Sequence, residues 1–341
     1  MSDCVLVTGA AGFVGHAVAT RLLERGEQVI GIDNLNSYYD PQLKLARLAS
    51  LQVHPGFSFE LMDVADADNL KALVLSCGIR RVVHLAAQAG VRFSLEQPAT
   101  YERSNVAGHL AVLEACRAAP GFEHLVYASS SSVYGNRPVS RRGFRESEPC
   151  TSVVSLYAAT KLACELMSES YRSVFGFPQT GLRFFTVYGP WGRPDMAYFQ
   201  FTRKILAGEA IEVFNHGRMA RDFTYIDDIV DGVVGALDRP PASGEHRLLN
   251  IGDNCPVDLL TMITTLERLL GRTAPKIMLP MQPGDVVSTC ANIDRLHALT
   301  GYRPRVPLAE GLRRFVNWYL DYHRKAEASI ETEVGSEPVA A

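Results

Sequence analysis

The chain of 341 residues is 47% hydrophobic and 21% charged, with a formal charge of −3, enough to bury one large core or a large core carrying a smaller one. It has no dense run of Lys and Arg, which argues against a nucleic-acid or anionic-membrane footprint and leaves small molecules as the expected partners. It also has no apolar run of about 18 residues, and "MSDCVLVTGAAG" enters a strand pattern without a charged leader, so a cytoplasmic protein is expected.

The first strand, "CVLVTG", runs into "GAAGFVG", a G-x-x-G-x-x-G with Gly9, Gly12 and Gly15 ahead of an apolar helix. Glycines there permit a tight turn, close approach of backbone to a pyrophosphate and close helix-on-strand packing, while the helix start offers free N–H groups to the anion. The next strand, "QVIGID", ends in Asp33, about twenty residues on, where a carboxylate binds the adenosine ribose hydroxyls. A carboxylate there also repels the 2′-phosphate of NADP, so NAD is the expected cofactor.

"FSFELMD" reads as the third strand and ends in Asp63, and "RVVHLAA" as the fourth, leading into "LAAQAG". Both strand ends lie where ligands of such sheets bind. After the amphipathic stretch "NVAGHLAVLEACRAA" comes the fifth strand, "HLVYAS", and a serine run, "ASSSSVYG". Read alone, that run is a polar loop. In "SLYAATK", Tyr157 and Lys161 stand four apart, so a helix places a phenol and an ammonium on one face. The spacing by itself is equally that of a half-buried tyrosine and a solvated lysine.

"QTGLRFF" reads as the sixth strand, and strands alternating with helices predict a parallel sheet wrapped by helices. After about Tyr188 the texture changes to "GPWGRPDM", with shorter elements and more prolines, which suggests a smaller substrate-covering region. "RDFTYIDDIVDGVVGAL" and "RLLNIGD" still read as strand–helix and strand that return to the main sheet. The expected division is 1–188 with returns from about 220–252, then 189–325, with 326–341 a disordered tail lacking aromatics and periodicity. Seven scattered cysteines without a C-x-x-C pair read as reduced thiols, and nine dispersed histidines support no metal site.

With a nucleotide motif at Gly9 and the Tyr157/Lys161 pair downstream, the chain resembles the extended short-chain dehydrogenase/reductase family over roughly Val5 to Tyr322. Within it the likeness is to the UDP-glucuronate 4-epimerases, through "LVTGAAGFVG", "GIDNLNSYYD", "HLAAQAGVRFSLEQP", "LVYASSSSVYG", "SLYAATK", "GLRFFTVYGPWGRPDMA", "RDFTYIDDIV" and "MQPGD". The resemblance implies an α/β fold: a Rossmann-type doubly wound parallel sheet with a smaller C-terminal α/β substrate-binding domain. It implies NAD contacts at Gly9, Gly12, Phe13, Val14 and Gly15, at Asp33, Asn34 and Asn36, at Asp63 and Val64, at Leu85, Ala86, Ala87 and Gln88, and at Asn105, Tyr157 and Lys161.

In enzymes of that kind the tyrosine is the general base for the sugar 4-hydroxyl while NAD takes the hydride from C4. A free phenol ionises near pH 10, too high for that work, and a neighbouring cation favours its phenolate. Lys161 supplies the cation and holds the nicotinamide ribose, and Ser130, aligned from "VYG", falls where the family keeps a serine or threonine that bonds the reacting oxygen. Family dehydratases carry an acidic pair at the next two positions, and decarboxylases keep a glutamate at the second. Here these are Ser131 and Ser132, so return of the hydride to the opposite face, giving the C4 epimer, is the expected outcome.

A 4-ketohexuronate is a β-keto acid that loses carbon dioxide when the breaking bond aligns with the carbonyl. The Ser130–Ser132 turn and Thr186 are expected to hold the carboxylate out of that alignment, with Arg193 and Arg92 as further carboxylate partners or, equally, surface or diphosphate-binding arginines. Arg221 matches the family's diphosphate arginine, Asp285 a ribose or loop contact, and Phe214 a uracil stack. The basic cluster Arg141, Arg142 and Arg145 carries no assigned function. A 4-epimerase of neutral UDP-hexoses, a UDP-glucuronate decarboxylase and a catalytically silent NAD-binding scaffold remain as alternatives. Helices around "RSNVAGHLAVLEACRA" and "SLYAATKLACELMSESYRSVF" correspond to the family's dimer helices, which implies a homodimer.

Overall fold

A computed structural model describes residues 4–334. The runs rich in Val and Ile form β1 (Cys4–Thr8), β2 (Gln28–Asp33), β3 (Phe57–Leu61), β4 (Arg81–His84), β5 (His124–Ser130) and β6 (Gln179–Phe184). Further on lie β7 (Thr186–Tyr188), β8 (Ile211–Val213), β9 (Ala220–Tyr225), β10 (His246–Ile251), β11 (Pro256–Asp258) and β12 (Lys276–Met278). Seven strands make one parallel sheet in the order β10-β6-β5-β4-β1-β2-β3. The strand order reverses between β1 and β4, which opens a crevice beyond the carboxyl ends of those strands.

Helices cover both faces, so the central strands are buried on both sides and read as unbroken apolar runs rather than alternations. Helices Phe13–Glu24 and Ile226–Leu237 pack together on one face. On the other, Gly108–Ala118 packs between Ala67–Ser76 and Leu156–Phe175. Of the stretch 220–252 expected to return to the main sheet, β10 pairs with β6 from His246↔Gln179 to Ile251↔Phe184. β9 instead joins β7 and β11 in a three-stranded sheet. β10 already occupies the free edge of β6, so β9 pairs instead with the short continuation, β7, beyond Phe185.

The last helix runs Leu308–Val334. The tail expected from residue 326 therefore begins inside a helix, consistent with the good helix formers Ala326, Glu327 and Ala328, and its remainder, 335–341, lies outside the described residues.

Among the described residues four buried histidines tie elements together, His109 through Ser168 at 2.9 Å, with its pKa pushed well down by burial, and three others likewise. His16 bonds Ser50, His84 bonds Thr8 and His124 bonds Thr180, each pair 2.8 Å apart. Burial, with Arg47 and Lys161 adding repulsion at the first two, lowers them to about 4, 3 and 4 respectively. In the unfolded chain a histidine takes its proton near pH 6.5, so below that pH the unfolded state binds more protons and stability falls as pH falls. Asp253 pulls the other way, raised to about 7 by burial and by Asp222 and Asp228. So do Asp222, Asp227 and Asp228, each raised by burial, but these three start from the ordinary carboxylate range, below the histidine window, and His246 is lowered by burial as well. Thermal melts are therefore expected to show a falling Tm from pH 6.5 to pH 5, a window above most carboxylate titrations; a flat or rising Tm there contradicts the assignment.

Candidate active site

Gly9 leaves β1 at φ +72° and its N–H donates to the Ile32 carbonyl at 2.7 Å. A Cβ at Gly9 would meet the Ala86 backbone N at 2.8 Å, and one at Gly15 would collide with the Gly9 carbonyl. The turn is thus pressed against the end of β4, where a side chain would fill the crevice. Helix Phe13–Glu24 begins at Gly12 without a side-chain cap, leaving first-turn N–H groups for an anion. Asp33, buried at the end of β2, accepts from Leu35 N at 2.8 Å and lies 3.7 Å from the Lys44 ammonium.

From this turn a cleft of about 420 Å³ runs across the carboxyl ends of the strands. Ser155 caps helix Leu156–Phe175 by accepting from Ala158 N at 3.1 Å, so the helix starts where Tyr157 falls in the first turn and Lys161 in the next. Both line the cleft together with Ser130. The Lys161 ammonium donates to the Ala128 carbonyl at 2.9 Å, and the Tyr157 ring meets Tyr101 edge-on at 6.2 Å. Ser130 ends β5, its Oγ donating to Ser132 Oγ and accepting from Ser132 N, both at 3.1 Å.

Behind that turn, Ser129 donates to Glu165 at 2.5 Å, and Glu165 is held bidentately by Arg183 at 2.9 and 2.8 Å. Asn105 sits in a π-helical segment, Glu102–Ala107, inside the long helical stretch, a distortion often found at functional sites. Its side chain bridges Gln88 N, Gln88 O and Thr160 Oγ1 at 2.8, 3.1 and 2.9 Å, pinning the loop after β4 to the helix of Tyr157.

Most of the residues expected from the sequence meet in this cleft: Phe13, Val14, Asn34, Asn36, Val64, Leu85, Ala87, Ser131, Thr186, Arg193, Arg221 and Asp285 line it with those already named. Four do not. Asn105 is buried behind the lining, a brace rather than a wall. Asp63 is spent on Ala65 N and Arg103, at 2.9 and 3.1 Å. Arg92 stands at the rim, 3.4 Å from Asp285, with its guanidinium 4.5 Å over the Phe214 ring. One face of Phe214 is therefore covered by a cation, an attractive pairing, rather than open to a base.

Arg221 donates to the carbonyls of Ala220 and Val287 at 3.0 and 3.2 Å. Burial lowers its pKa, Asp285 opposes this and Arg92 reinforces it, so an arriving anion would relieve the site. Lys44, Tyr38 and Asp195 were missed in the sequence. Tyr38 lies within "GIDNLNSYYD" and Asp195 two positions after Arg193, so both sit inside resembling stretches, but only the fold brings them together.

A family model described as the NAD dependent epimerase/dehydratase family matches residues 5–252. The chain belongs to that family. UDP-glucuronate 4-epimerase 3 of Arabidopsis thaliana is 49% identical to this epimerase/dehydratase family member over 333 residues, which is 94% of this chain and 77% of the plant protein. UDP-glucuronic acid 4-epimerase from Bacillus cereus, solved with UDP-glucuronic acid and NAD, superposes with a TM-score of 0.88 at 34% identity, over 94% of this chain and 99% of that one. UDP-glucose 4-epimerase from Thermotoga maritima, solved with UDP-glucose, superposes at 0.84 and 27% identity, over 94% and 99%. The cleft fits the family's NAD: the Gly9 and Gly15 positions have no room for a Cβ, the first helix starts uncapped, and the Asp33 carboxylate waits at the end of β2.

Proposed function

We propose that the protein is an NAD-dependent isomerase, a 4-epimerase that interconverts UDP-glucuronate and UDP-galacturonate through a 4-keto sugar. The observation that carries this reading is the Ser130–Ser132 turn, which sets hydroxyls and no carboxylic acid in the cleft that Tyr157 and Lys161 line. The carboxylate behind the turn, Glu165, is consumed by Arg183 and Ser129. A general acid for dehydration or for protonating a decarboxylated product is therefore missing from the turn.

Gly9, Gly12, Gly15, Asp33 and Lys161 would hold NAD, which when bound accepts hydride from the sugar C4 and gives it back. Tyr157 takes the proton of the 4-hydroxyl and returns it to the epimer. Lys161, one turn along the same helix face, places a positive charge on the side of the phenol and is itself fixed by the Ala128 carbonyl. Ser130 offers a hydroxyl to the reacting oxygen. Thr186 and the serine turn hold the uronate carboxylate with neutral donors, which fix its direction without donating a proton, and Arg193 adds a cation. Arg221 anchors the diphosphate, and that anchor lets the sugar be held more loosely than the nucleotide.

The exposed leucines Leu110 and Leu166, on packed neighbouring helices, support a homodimer through that face. Seven unpaired cysteines support a reducing, cytoplasmic setting. No helix among the described residues is long and apolar enough to cross a membrane.

The test is incubation with UDP-glucuronate and NAD, without reductant, followed by NMR, alongside a solution mass. UDP-galacturonate without net NADH, at twice the 37.5 kDa chain mass, is the expected result. A UDP-pentose product overturns the epimerase reading, conversion of UDP-glucose alone moves it to neutral hexoses, and a monomer mass removes the dimer.

A further inference from the structure

Arg193 lines the cleft beside Thr186 and is its one arginine paired closely with an acid: Nε and Nη2 donate to the two oxygens of Asp195 at 3.0 and 2.6 Å. The Tyr38 hydroxyl donates to the same carboxylate at 3.1 Å. Tyr38 in turn packs against Phe93 at 4.7 Å, and Phe93 against Tyr101, the ring that meets Tyr157. Burial disfavours the ionised Asp195, but Arg193 and Tyr38 outweigh it and hold the carboxyl below its usual range. Arg193 thus enters the site with its charge already offset. Among the described residues Nη1 has no hydrogen-bond partner in the protein, so it remains available to a ligand.

A 4-epimerase must grip its sugar and also let it turn over between the two halves of the reaction. A guanidinium with its whole fork free would bind a uronate carboxylate bidentately, the strongest form of that contact. That contact would then have to break on every turn of the ring, and binding that stabilises the bound sugar more than the turning one lowers kcat. A permanent internal counter-ion removes two of the fork's donors.

We propose that Asp195 is a positioning residue that tempers the hold of Arg193 on the uronate carboxylate, so that the sugar is recognised by its charge yet remains free to turn. The proposal rests on the uronate reading above. It distinguishes Asp195 from a mere support, because a support would be expected to strengthen the arginine's grip and not to weaken it.

The test is steady-state kinetics of Asp195→Asn with UDP-glucuronate and, as a carboxylate-free control, the inhibition constants of UDP-glucose competing against that turnover. With UDP-glucuronate both KM and kcat are expected to fall, each by about tenfold, while the constants for UDP-glucose stay within about twofold of the wild type. In an Arg193→Met background, Asp195→Asn should lose its effect on KM, since the two residues act as one unit. The double variant buries no unpaired charge and keeps the test alive if Asp195→Asn alone does not fold, its KM then being expected to match that of Arg193→Met.

A rise in KM for UDP-glucuronate, or an equal change in the inhibition constants of UDP-glucose, overturns the proposal while leaving the epimerase reading intact. A wild-type protein that leaves UDP-glucuronate unconverted overturns that reading and this proposal together.

Discussion

Tyr157→Phe is expected to lower kcat for UDP-glucuronate by about 10²–10⁴-fold, the contribution of a positioned general base. The substitution keeps the ring and its edge contact with Tyr101, and the helix start is untouched because Ser155 caps it through Ala158 N. Only the hydroxyl is lost. KM and the NAD released from the denatured protein should therefore stay close to wild type, and the thermal melt should not move by more than a degree or two. A kcat within about tenfold of wild type would remove Tyr157 from the chemistry and leave it a packing residue.

The second large effect concerns stability. Arg183 and Glu165 are each 4% exposed in their side chains and joined by two hydrogen bonds. Arg183 also stacks over the Tyr134 ring at 4.8 Å and donates to the Glu146 carbonyl. Burial acts to lower its pKa, but Glu165 overrides this and raises it, so the arginine stays charged at any working pH. Arg183→Met leaves a carboxylate in a dry interior with Ser129 as its remaining partner, and stability is expected to fall by about 3–5 kcal/mol in urea unfolding.

Replacing both residues with Met should recover most of that loss, because a buried pair exchanged for apolar side chains of similar volume is often neutral. A single-variant loss below about 1 kcal/mol would show that water reaches Glu165. Ser129, which Glu165 holds, directly precedes Ser130, so the recovered double variant also reports how far this pair steadies the serine turn.

The parts of the site legible in the sequence were those whose chemistry depends on near neighbours in the chain. Gly9, Gly12 and Gly15 announce a turn because backbone geometry is local, and Tyr157 with Lys161 share a face because a helix repeats every 3.6 residues. Ser130 could be chosen from its serine run only through the resemblance, and the absence of an acid at Ser131 and Ser132 needed no structure at all. Residues that act across the fold behaved differently. Asp63 and Asn105, expected as cofactor contacts, also bond Arg103 and, for Asn105, Gln88 and Thr160, pairings the sequence does not announce. Phe214, expected as a base-stacking ring, has one face occupied by Arg92.

The amino-acid order alone thus determined the parallel α/β sheet and the nucleotide turn, since each follows from periodicities and spacings within about thirty residues, whereas Tyr157 and Lys161 stood out from other helical pairs only through the resemblance. The tertiary structure alone decided which sheet β9 joins, that Lys44 sits beside Asp33, that Glu165 is withheld from chemistry by Arg183, and that Arg193 meets Tyr38 through Asp195 across 157 residues of chain separating Tyr38 from Asp195. Long-range pairings of charged and polar groups leave no periodic trace in a sequence. Their partners are selected by burial, which makes an unpaired charge costly and a paired one tolerable, and burial is a property of the folded chain.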